Sequence, residues 1–69
     1  MKHEMISALM HDADASIALA KMNIKVLLNN PVGVGDHPNI TETIQEQLDI
    51  ISKHKDRLNV LTEYFYEEE

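Results

Sequence analysis

From residue 6 to residue 27 the apolar side chains return at alternating steps of four and three: Ile6, Met10, Ala13, Ile17, Ala20, Ile24 and Leu27. At that spacing an α-helix brings the same face round to the same neighbour, so the pattern predicts one long helix with a continuous seam. Leu9 and Leu28 widen the seam, and His3, Ser7, Asp14, Lys21 and Lys25 form a polar strip beside it. A second apolar stripe runs along the same helix through Ala8, Ala15, Leu19, Met22 and Val26, set off from the first by Asp12, Ser16 and Asn23. A helix with one neighbour needs one apolar face. Two faces predict packing on both sides, with Ala8, Ala15, Leu19, Met22 and Val26 as the contacts between subunits.

Asn29, Asn30 and Pro31 end this helix, because proline has no amide hydrogen and disfavours helical geometry in the residue before it. The chain can re-enter a helix at Asp36, with Pro38 in the first turn, or at Asn39, where Glu42 completes the spacing of a capping box. The second seam reads Ile40, Ile44, Leu48, Ile51, Leu58, Leu61 and Phe65, interrupted by two polar residues, Gln47 and His54. The reverse face carries Glu42, Asp49, Lys53, Asp56 and Glu63 and reads as solvated. Folding the chain at residues 30–36 sets Leu27 against Ile40, Ile24 against Ile44, Ala20 against Gln47 or Leu48, and Ile17 against Ile51. Further along, Ala13 falls against His54, Met10 against Leu58 and Ile6 against Leu61, so small residues of the first helix oppose large ones of the second. The expected fold class is therefore all-α: an antiparallel two-helix hairpin, about 2–29 and 37–66, assembling into an oligomeric bundle or ring. The acidic end, 67–69, is expected to fray, because three glutamates oppose the negative end of a helix.

Composition sharpens the need for assembly. Sixty-nine residues form a single small domain near the size at which one hydrophobic core barely suffices. Cysteine is absent, which removes disulfides and thiolate zinc sites as supplements and leaves histidine/carboxylate metal binding or oligomerisation. The net charge of −6 disfavours nucleic acid as a partner. No apolar run approaches the roughly 20 residues that span a bilayer. The opening stretch is broken by His11, Asp12 and Asp14 and lacks the form of a signal peptide, so a cytoplasmic location without membrane partners is expected.

Candidate chemistry is sparse. The loop Pro31-Val32-Gly33-Val34-Gly35-Asp36 could turn backbone amides toward an anion at the start of the second helix, with Gly33, Gly35, His37 and Asn39 as the residues of such a loop. It lacks the spacing of either nucleotide-binding glycine motif, no strand precedes it, and Asp36 repels an anion; a turn needing glycine accounts for it better. Among His3, His11, His37 and His54, only His11 with Asp14 has the one-face spacing of a helical metal site, and no metal ligand set follows. Gln47 and His54 in the seam are candidates for fixing register or subunit number. No serine or threonine stands in a recognisable arrangement with a histidine and an acid, so no enzyme activity, catalytic residue or cofactor is expected.

The wording "NPVGVGDHPNI", followed by a helix that ends "LNVLTEYF", resembles the small helical hairpins encoded by tailed bacteriophages, including those of marine bacteria. The resemblance spans roughly residues 29–65 and carries no active-site residues with it. It implies expression in the cytoplasm of a bacterial host as an accessory or host-modulating protein. The leading expectation is thus a non-enzymatic, oligomeric interaction protein, an adaptor or inhibitor acting on a host or viral protein. An assembly that sequesters a small anionic or nucleotide ligand, and a histidine/carboxylate metal-binding bundle, are the alternatives.

Overall fold

The computed structural model describes residues 2–29 and 40–66. Helix α1 spans Lys2–Asn29 and helix α2 spans Ile40–Val60, and α2 continues without a break into a π-helical turn, Leu61–Phe65. No strand occurs among the described residues. Helix α1 fills the whole of the first described stretch. The glycine loop and the expected start of the second helix at Asp36 to Asn39, with Gly33, Gly35, His37 and the capping residue Asn39, lie outside the described residues.

The two helices lie side by side as a hairpin measuring 54 × 15 × 14 Å. Acidic residues suit the helix starts: Glu4 and Glu42 sit in the first turns of α1 and α2. Each meets the partial charge of opposite sign at that helix end. Lys2, Met5, Ile6 and Leu9 line a cleft with Leu61 and Phe65, while Asn23, Val26 and Leu27 line another with Thr43 and Gln47.

The seam of α1 appears residue for residue. Ile6, Met10, Ile17, Ile24 and Leu27 are half-buried, and Ala13 and Ala20 are the buried core, at 2% exposure each. Small side chains at those two positions let the helix backbones approach, and the alanines vanish beneath the opposing helix as a result. In α2 the half-buried set is Ile40, Ile44, Gln47, Ile51, His54, Leu58 and Leu61, again stepping by four and three.

Two seam positions expected in α2 fall elsewhere. Leu48 is 48% exposed, and Gln47 takes the inward place. The step of three from Ile44 reaches Gln47, whereas the step of four to Leu48 carries the side chain round to the flank. Phe65 is 54% exposed. A π-helical turn closes hydrogen bonds over five residues rather than four, so each residue advances less around the axis and Phe65 stops short of the seam. Leu9 and Leu28 do not widen the seam of α1 either; both are more than half exposed.

Candidate interaction surfaces

Leu19, Met22 and Val26 are 57%, 54% and 57% exposed, and Ala8 and Ala15 are exposed with them. The stripe expected to join subunits is thus open to solvent, and Leu19 and Val26 border the groove between α1 and α2. Met5 and Leu9 extend the exposed apolar surface toward the end of the molecule where Phe65 lies. Surface of this kind is costly in water at about 25 cal/mol per Å². The inside of the hairpin offers little in return, since among the described residues only the two alanines are fully withdrawn from solvent.

A side-chain hydrogen bond ties the two helices. Asn23 Nδ2 donates to Gln47 Oε1 at 3.1 Å. Asn23 had only the look of a spacer between the two apolar stripes; its role follows from the register, because the step of three that draws Gln47 inward also brings its amide beside Asn23. The pair borders a cleft with Ser16, Leu19, Ala20 and Ile50 on one side and another with Val26, Leu27 and Thr43 on the other. The flank of the hairpin on which α1 and α2 meet is therefore lined by Leu19, Val26 and Ile50 around an amide pair.

His54, the other polar residue of the seam, is half-buried, and its Nδ1 is enclosed without a hydrogen-bond partner. Its place among the half-buried positions of α2 makes it a seam residue rather than a surface one. A buried imidazole nitrogen that bonds to nothing has given up its hydrogen bond to water without replacement.

The opposite flank holds a cleft of about 400 Å³ near the start of α1, lined by His3, Ile6, Ser7, Met10, His11, Asp14 and Tyr66. Tyr66 follows the π-helical turn in extended backbone, φ −75° and ψ 125°, and reaches this flank while Phe65 lies on the other. The rings of Tyr64 and Phe65 meet at 6.4 Å between centroids and 60° between planes, within the tilted geometry aromatic pairs favour. His3, Ser7, His11 and Asp14 are exposed side chains on successive turns of a single helix. Among the described residues no group of three His, Cys, Asp or Glu stands where it could hold a metal ion. The closing turn was the least legible feature, because aromatic residues before an acidic end carry no signal for a π-helical widening.

Along the outer side of α2, Glu42, Asp49, Asp56 and Glu63 recur every seven residues, and all four are exposed. Successive members stand about 10 Å apart at 1.5 Å of rise per residue. The row lies opposite the seam of α2, and with Lys53 beside it the face remains net acidic. No helix among the described residues is long and apolar enough to cross a membrane. No protein-family model, curated protein or solved structure matches the chain.

Proposed function

We propose that the chain is an antiparallel helical hairpin that works as an assembled, non-enzymatic interaction protein. Its apolar surfaces join copies of the chain, and its acidic row is turned outward to a basic surface on a protein partner. One observation carries the reading: Leu19, Met22 and Val26 stand more than half exposed while, among the described residues, only Ala13 and Ala20 are buried. A chain of this size with so little buried gains its missing stability from a neighbour. Assembly leaves Glu42, Asp49, Asp56 and Glu63 on the outside, since they lie opposite the seam of α2. A row of like charge speeds encounter with a surface of opposite sign and repels acidic competitors. The likeness of residues 29–65 to phage-encoded hairpins makes a protein of the bacterial host, or of the virus, the class of partner proposed.

Two substitutions separate the two halves of this reading. Leu19→Asp places a charge in the joining surface and is expected to give smaller particles in sedimentation velocity with less helix by circular dichroism. Reversing Asp49 and Asp56 to lysine together is expected to leave particle size unchanged and abolish capture of a partner from bacterial lysate. Full assembly of Leu19→Asp, or undiminished capture by the doubly reversed variant, would remove the corresponding half.

A further inference from the structure

Assembly through apolar surface leaves open which face the second copy covers, and the flank bearing the Asn23–Gln47 hydrogen bond has features that suit a copy of itself. Val26 shares a cleft with Thr43, and Leu19 shares one with Ile50. Both pairs belong to rows that recur every seven residues, so the next step along each helix brings Asp12 of α1 to the level of Arg57 of α2 on the same flank. Asp12 and Arg57 are both exposed.

Resting on the assembly proposed above, we infer that this flank is the interface of a two-fold dimer whose axis runs along the hairpin, so that α1 of one copy lies over α2 of the other. Such an axis keeps every level facing itself. Leu19 then packs on the second copy's Ile50, and Asp12 meets the second copy's Arg57 twice, once on each side of the axis. The amide pair is self-complementary under the same operation. Its hydrogen bond uses one Asn23 N–H and Gln47 Oε1, leaving Asn23 Oδ1 to accept and Gln47 Nε2 to donate across the axis. An axis perpendicular to the hairpin would instead bring the amide level over apolar levels near Leu9, stranding those groups. A polar layer inside an otherwise apolar interface fixes register and subunit number in this way.

The area is sufficient. A face of 54 by 15 Å is about 800 Å², close to the share each partner contributes to a stable protein–protein interface. The acidic row of α2 lies outside this face, which spares a chain of net charge −6 the repulsion that would otherwise oppose self-association.

Charge reversal tests the arrangement with the full chain. Asp12→Arg sets two like-charged pairs across the axis, and Arg57→Asp does the same with opposite sign. Each variant alone is expected to dimerise about ten-fold more weakly or worse, since like charges brought together at an interface are strongly disfavoured. Mixed in equal amounts, the two variants are expected to recover dimer as a heterodimer, read by mass in native mass spectrometry, because each then offers the charge the other lacks. Helix lost by either variant alone and regained on mixing would be the same result seen through folding. If both variants dimerise like the unaltered chain, or if mixing restores nothing, this flank is not the interface, although assembly through the rest of the stripe would stand. An unaltered chain that stays monomeric at every concentration would overturn the assembly reading itself.

Discussion

Replacing His54 with leucine should stabilise the protein. His54 occupies a half-buried position of the α2 seam, and its Nδ1 is enclosed without a partner. An unsatisfied buried polar group costs about 1–3 kcal/mol relative to one that keeps its hydrogen bond. Leucine has no such group to leave unpaired. It also returns apolar surface to the seam; full burial of a leucine is worth about 1.5–3 kcal/mol, and a half-buried site recovers roughly half of that. The two contributions overlap, and a net gain of about 2 kcal/mol per chain is expected. In a domain of this size each 1 kcal/mol moves the midpoint by about 4–8 °C, so Tm should rise by about 10 °C. Because association also raises Tm, the melts must be run over a concentration series with both proteins at matched concentration. His54→Asn is the control: it keeps a polar group in the seam and should bring no gain. A His54→Leu protein that melts at or below the unaltered one, with its helix content intact, would show that Nδ1 is satisfied in solution and that the seam tolerates histidine without cost.

Ala20→Leu should be damaging, by about 1–3 kcal/mol, because overpacking a site that two helix backbones already close on forces them apart; chemical denaturation with an unchanged m-value would show it. Gln47→Leu removes the interhelical hydrogen bond to Asn23, which is exposed in the hairpin, so its direct loss should stay at the low end of about 0.5–1.5 kcal/mol. The larger effect of Gln47→Leu should be on specificity, with a mixture of subunit numbers in native mass spectrometry where the unaltered chain gives one. Leu48→Ser, by contrast, should leave the melting temperature within about 0.5 kcal/mol equivalents, as expected for an exposed position off the seam.

The seam of α1 was legible because it rests on the most robust sequence signal, an apolar period held for seven positions without interruption. The choice of Ala13 and Ala20 as close-approach points was legible for the same reason, as small residues can serve an inward position only where the neighbouring backbone comes near. In α2 the same signal was weaker. Hydrophobicity favours Leu48 over Gln47, yet geometry draws Gln47 inward and leaves Leu48 on the flank, because residues on either side of it are fixed by Ile44 and Ile51. Local chemistry ranked the two residues in the opposite order from the packing. Phe65 leaves the seam for a different cause: its position depends on a π-helical turn, for which the residues Leu61–Phe65 carry no sequence signal. The interaction surfaces were legible in outline. That Leu19, Met22 and Val26 form a free stripe followed from counting faces, whereas the amide pair and the levels it shares with Ile50 and Thr43 needed the register between helices. The identity of any partner is carried by the partner's own surface, which the acidic row of α2 constrains only in sign.

All of these expectations depend on the hairpin being incomplete by itself. Sedimentation velocity of the unaltered chain over a concentration range tests that directly. The account predicts a helical species of twice the 7.9 kDa chain mass that dissociates on dilution with loss of helix. A compact 7.9 kDa particle, fully helical and melting at a temperature independent of concentration, would contradict it.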